Sequence, residues 1–90
     1  MTEFRVEFTR RASRDLKRTP PWLQRRVDEL VSMLRKDPVP RVGLDVRELI
    51  GMRGVYRVRI GDYRIVYLVN DSIGVVTILR VTSRGDAYAD

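Results

Sequence analysis

Tyr56-Arg57-Val58-Arg59-Ile60-Gly61-Asp62-Tyr63-Arg64-Ile65-Val66-Tyr67 decides how this chain is read. β-Branched and aromatic residues alternate with charged ones on both sides of Gly61-Asp62, the pattern of two strands joined by a two-residue turn. Such a turn fixes the register. Ile60 then faces Tyr63, Val58 faces Ile65 and Tyr56 faces Tyr67, giving one apolar, aromatic face. The other face carries Arg57, Arg59, Arg64, Val66 and Leu68. Arg59 falls directly across from Arg64, with Arg57 two residues away on the same side. Their β-carbons converge within about 5–8 Å. Like charges directly opposed destabilise a sheet, and neither an acid nor a threonine stands at these positions to relieve them. One explanation is a solvated outer face on which the long side chains splay into water. The other is an anion that bridges the arginines, for which a phosphate backbone is suited. Val66 and Leu68 on the same face suggest a surface that a partner covers part of the time.

Downstream, Asn70 to Gly74 connects to a further strand, Val75 to Val81. The facing of Arg80 depends on that connection. A five-residue link puts it on the Arg64 face, and a four-residue link puts it on the other. Upstream, Arg41 to Gly54 is irregular, with a short strand at Val46 to Ile50 and a turn at Gly51-Met52-Arg53-Gly54. Before that lie two helical stretches. Thr9 can cap the first, which runs to about Arg18, and Thr19-Pro20-Pro21 breaks it. Pro21 suits the first turn of the second. There Leu23, Val27, Leu30, Val31 and Leu34 recur at helical spacing until Asp37-Pro38-Val39-Pro40. Phe4, Val6 and Phe8 alternate with polar residues as a first strand. The order predicts one α+β domain over residues 1–90. An N-terminal strand and a two-helix hairpin pack on a mainly antiparallel, curved sheet of four to five strands.

The chain has 90 residues, 18 basic against 12 acidic, for a net charge of +6, and arginine supplies 16 of the basic residues. That balance favours an anionic partner, either nucleic acid or an acidic protein. The sequence contains no cysteine and no histidine. Disulfides and thiolate zinc sites are therefore excluded, and the commonest general base is missing. No metal or other cofactor is expected. The charged, alternating amino terminus lacks the apolar run of a signal peptide, and no stretch is apolar enough to span a membrane. A soluble, cytoplasmic protein is the expectation.

A second basic cluster lies on the helical stretches: Arg10, Arg11, Arg14, Lys17 and Arg18, then Arg25 and Arg26. It reads either as a solvated face or as a docking patch for structured RNA, where phosphate and shape dominate recognition. Arg80 is a candidate member of an RNA-binding set. Arg84 and Tyr88 lie in a polar tail, Tyr88 as a packing aromatic or a base-stacking one.

The stretch from Tyr56 to Tyr67 resembles the signature hairpin of the RelE/ParE toxin superfamily, and Glu48-Leu49-Ile50-Gly51 resembles the leucine-x-glycine approach to it. The preceding helical hairpin and the basic tail match in order and length, so the resemblance spans essentially the whole chain. It implies the RelE-like fold and a toxin that enters the ribosomal A site and cuts messenger RNA there. The 2′-hydroxyl attacks the neighbouring phosphate. Arg57, Arg59, Arg64, Arg84 and Tyr88 are similar to the family's functional residues. The implied partners are a RelB-type antitoxin, as a heterodimer or heterotetramer, with Val66 and Leu68 as its contacts, and the ribosome with its message. Some members carry lysine where Arg57 and Arg59 stand. Arginine practically cannot lose a proton, so the resemblance implies catalysis by charge stabilisation and alignment rather than by a conventional base. Two alternatives stand beside it: a ParE-like inhibitor of DNA gyrase, and an RNA-binding module without catalysis.

Overall fold

The computed structural model describes residues 3–83. The amino-terminal alternation forms β1 (Arg5–Phe8), followed by α1 (Arg10–Lys17), α2 (Pro21–Lys36) and four further strands. Thr9 caps α1, its Oγ1 accepting from the Ala12 amide at 3.0 Å. Pro21 opens α2, where its missing N–H leaves nothing unpaired. The Gln24 side chain clasps the helices together, its Nε2 donating to the carbonyls of Leu16 and Thr19 at 3.1 and 3.0 Å. Leu23, Val27, Leu30 and Leu34 are buried along one stripe of α2, and Val31 is half-buried beside them.

The strands are β2 (Asp45–Glu48), β3 (Val55–Ile60), β4 (Tyr63–Asn70) and β5 (Val75–Ser83), in the sheet order β1-β5-β4-β3-β2. β1 runs parallel to β5 and every other pair is antiparallel. This is the expected α+β architecture: two helices on one face of a five-stranded sheet. The α2 stripe packs with Val58, Ile60, Ile65 and Tyr67 of the hairpin and with Val76, Ile78 and Val81 of β5. The hairpin has the predicted register, Ile60 on Tyr63 and Arg59 on Arg64. Gly61 takes φ +60°, as the first central position of a type II′ turn requires.

Two segments differ from the sequence reading. The short strand is Asp45–Glu48 rather than Val46 to Ile50. After Glu48 the chain folds back at once. The Leu49 amide donates to Val55 O at 2.8 Å, Met52 to Leu49 O at 3.1 Å, and Gly54 to Glu48 Oε2 at 2.9 Å. The second difference lies between β4 and β5. Asn70 pairs with Val75, so the connection is four residues long. Alone, it would turn Arg80 away from Arg64. A β-bulge intervenes: Tyr67 pairs with Ile78 but Val66 pairs with Arg80, leaving Leu79 as the extra residue. The bulge returns Arg80 to the Arg64 face.

β1 pairs only with Val75 to Ile78, so the rest of β5 has no neighbouring strand on that side. The loop and helix after β1 cover it. Thr9 donates through Oγ1 to Leu79 O at 3.1 Å, and Asp15 accepts from the Val81 amide at 3.0 Å. Among the described residues no helix is long and apolar enough to cross a membrane.

Candidate functional site

Directly opposed residues share a face of a sheet. The pairings therefore set two rows across four strands on the face away from the helices. The first row is Asp45, Arg59, Arg64 and Thr82; the second is Arg47, Arg57, Val66 and Arg80. Five arginines occupy the eight positions. Arg47 and Arg59 are exposed, and Arg64 and Arg80 are half-buried.

Arg57 is different, at 1 % exposure. Its Nη1 lies 3.1 Å from Asp45 Oδ1 and donates to the Asp45 carbonyl oxygen at 2.9 Å. Arg47 Nε is 3.7 Å from the same carboxylate. A buried guanidinium survives only when its charge is matched and its donors are occupied, and the edge strand supplies both. At Arg57 the like-charge crowding expected on the hairpin is thus relieved by an acid from the neighbouring strand.

Arg80 is anchored at the other end of the same row. Its Nε donates to Asp15 Oδ2 at 2.8 Å, and that oxygen also accepts from the Val81 amide. Burial works against ionisation of Asp15. The hydrogen bonds from Arg80 and Val81, with the charges of Arg80 and Arg11, outweigh it and hold the carboxyl below the ordinary aspartate range. Beside the rows lies a small apolar strip: Leu49, Val55 and Val66 are buried, with Leu68 and Leu79 packed against them. On the helix side, Tyr67 is fully buried and stacks on Tyr56 with centroids 5.7 Å apart. Burial, with Tyr56 and Asp37 nearby, pushes its phenol well above the usual range. Among the described residues no cluster of acidic or other ligating side chains could hold a metal ion.

Residues 6–88 match the family described as the ParE toxin of the type II toxin–antitoxin system parDE. The chain is 37 % identical over 86 residues to the toxin RelG of Mycobacterium tuberculosis, covering 94 % of this chain and 95 % of that one. It belongs to the RelE/ParE superfamily of type II toxins. Its fold is similar to the archaeal RelE–RelB complex from Pyrococcus horikoshii, at 38 % identity and a TM-score of 0.83, covering 97 % of this chain and 100 % of that one. The toxin–antitoxin complex RelBE2 of M. tuberculosis is also similar, at 35 % identity and a TM-score of 0.73, covering 96 % and 97 %.

In this toxin the residues singled out by sequence separate into groups. Arg59 and Arg64 stand side by side on the face away from the helices, with Arg80 one row away. Two expectations are corrected. Arg57 does not present its charge to the surface, because Asp45 and the strands enclose it. Val66 is not an open contact for a partner, because at 1 % exposure it is sealed in the apolar strip. Leu68 keeps partial exposure. Arg10, Arg11, Arg14, Lys17, Arg18, Arg25 and Arg26 are all exposed, but they sit on the helix layer across the sheet from the arginine rows. Arg26 there pairs with Glu29 at 3.6 Å. Arg84 and Tyr88 lie outside the described residues. Sequence reasoning missed Asp45 and Arg47. The signal was present: Asp45-Val46-Arg47 alternates around one apolar residue, as a half-buried strand does.

Proposed function

We propose that this toxin inhibits translation by ribosome-dependent cleavage of messenger RNA in the A site. The observation that carries the reading is the direct opposition of Arg59 and Arg64 at the centre of a face that places five arginines on four strands. The 2′-hydroxyl attacks the adjacent phosphorus, a P–O2′ bond forms, and the P–O5′ bond breaks. The 2′-hydroxyl proton must leave and the departing 5′-oxygen must gain one. Arginine does neither readily, so the protein's part is to neutralise the pentacoordinate phosphorane and hold the attack in line. Arg59 and Arg64 do this, with Arg84 and Tyr88 contributing from the tail. Arg57 acts by position: tied to Asp45, it stiffens β3 against β2 beneath the site. The helical arginines and Lys17 dock on ribosomal RNA through phosphates. No metal or cofactor enters this scheme.

The test is a purified translation system with primer extension. Cuts are expected at A-site codons with the wild type and are expected to fall by about 10²–10³ with Arg64→Ala. Undiminished cutting by that variant removes Arg64 from the mechanism. The match to a family described as ParE supports a second reading, inhibition of DNA gyrase. A supercoiling assay with the same protein separates the two.

Solved relatives are complexes of RelE with RelB. On that support this toxin, too, pairs in the cytoplasm with a RelB-type antitoxin, whose acidic, amphipathic segment folds over the basic face and Leu68. Copurification with the product of the adjacent small reading frame tests the pairing.

A further inference from the structure

A cleft of about 280 Å³ opens where the end of α1 meets the last residues of β5, beyond the stretch that pairs with β1. Asp15, Arg18, Tyr63, Arg80, Thr82 and Ser83 line it. Its size is near the lower end of the roughly 300–1,000 Å³ range of small-molecule sites, room for one nucleotide and not for a folded segment of RNA.

Three features give the cleft a chemical character. The first is charge. Arg18 is exposed at the end of α1, and Arg80 is held in place by Asp15, whose negative charge it offsets. The second is an aromatic wall. Tyr63 is half-buried and braced edge-on by Trp22, with centroids 6.1 Å apart and planes at 73°. The third is an unmet polar group. Thr82 is 7 % exposed, and its Oγ1 has no hydrogen-bond partner among the described residues. Buried hydroxyls are nearly always satisfied, by protein, water or ligand. A cation, a π-face and a hydroxyl together match the phosphate, base and sugar of a nucleotide. The location matches as well, since Thr82 is the cross-strand partner of Arg64 and the cleft therefore adjoins the arginine rows.

We infer that this cleft is a single-nucleotide subsite for the residue flanking the one held on the arginine face, with its phosphate on Arg18 and its base against Tyr63. The inference rests on the RNA reading above and extends it around the edge of the sheet. A strand that crosses the Arg59–Arg64 row leaves the face beside Thr82 and places its next nucleotide in the cleft. The helical cations on one side and the arginine face on the other are then joined along one RNA path.

Trp22 is the sole tryptophan of the chain, so its fluorescence reports on Tyr63 and the cleft directly. The full-length toxin is titrated with nucleoside 5′-monophosphates and, separately, with inorganic phosphate. The nucleotides are expected to produce a saturable change with a Kd of about 1 mM, and inorganic phosphate none. Arg18→Gln is expected to weaken binding about tenfold and Thr82→Val about fivefold. Arg35→Gln, an equal loss of charge at the far end of α2, is expected to leave the Kd unchanged. The inference is overturned by a titration that does not saturate. It is equally overturned if phosphate alone gives the same change, or if Arg18→Gln and Thr82→Val both bind as wild type. Failure of ribosome-dependent cleavage with this titration intact would remove the nuclease reading and leave the subsite standing.

Discussion

Arg57 and Arg59 lie two residues apart on one strand and one face, yet their surroundings are opposite. Arg57 is sealed at 1 % exposure against Asp45, whereas Arg59 is exposed beside Arg64. Arg80 repeats the first case at the far edge of the sheet, with Asp15 in the role of Asp45. The difference teaches that a basic face is not uniform. Each side of the face receives one carboxylate, Asp45 from edge strand β2 and Asp15 from α1, and each carboxylate fixes one arginine as part of the framework. Between them lie Arg59, exposed, and Arg64, half-buried, directly opposed across the hairpin. Net positive charge alone does not distinguish one arginine of this face from another; burial against a carboxylate does, at Arg57 and Arg80.

The largest effect expected from this contrast is on activity. Arg64→Ala should lose about 10²–10³ in cleavage rate, with a smaller change in melting temperature than Asp45→Ala. Asp45→Ala should do the reverse. It leaves the Arg57 guanidinium buried with its carboxylate gone, at an expected loss of about 2 kcal/mol in urea unfolding. In a domain of this size that is a fall of roughly 8–16 °C in Tm. Adding Arg57→Met to Asp45→Ala should recover part of the loss, since the uncompensated charge goes too. If the double variant is no better than the single, Arg57 is not an anchor of the kind described.

Asp15→Asn tests the second anchor and should lower stability by about 1 kcal/mol at pH 7. The sign with pH follows from the depressed carboxyl of Asp15. Its ionised form is favoured in the fold, so its contribution is complete above the unfolded value of about 3.9 and disappears as pH falls through the lower folded value. In chemical denaturation wild type and variant should therefore begin to converge below about pH 4 and meet only below the folded value. A gap that persists there would assign the effect to packing. The smallest effect concerns Tyr67, whose buried hydroxyl has no hydrogen-bond partner among the described residues. Tyr67→Phe should leave stability unchanged or raise it by up to about 1 kcal/mol, because no bond is lost and a desolvated group is removed. A clear drop in Tm would reveal a partner for that hydroxyl.

The hairpin was legible because its information is local. A two-residue turn sets the register, and alternation sets the faces. The helices were legible through Thr9, Pro21 and the stripe from Leu23 to Leu34. The anchors were not, because each depends on a pairing made by the fold. Asp45 meets Arg57 across a strand boundary that the irregular stretch from Arg41 to Gly54 blurs. Asp15 and Arg80 are 65 residues apart in sequence. The bulge at Leu79 carries no glycine or proline to announce it, so the facing of Arg80 stayed open.

That bulge makes β5 behave like a reading frame. Every residue after Leu79 has its facing set by one supernumerary position: drawing Leu79 into the ladder opposite Val66 would exchange inside for outside at Arg80, Val81 and Thr82 together, whereas deleting Leu79 would close the bulge and leave all three on their present faces. Adding residues to the connection at 71–74 would change only the length of an exposed loop, provided Asn70 still meets Val75. Loss of a residue is therefore neutral for facing both at 71–74 and at Leu79, and what inverts the faces is a change of pairing at constant length.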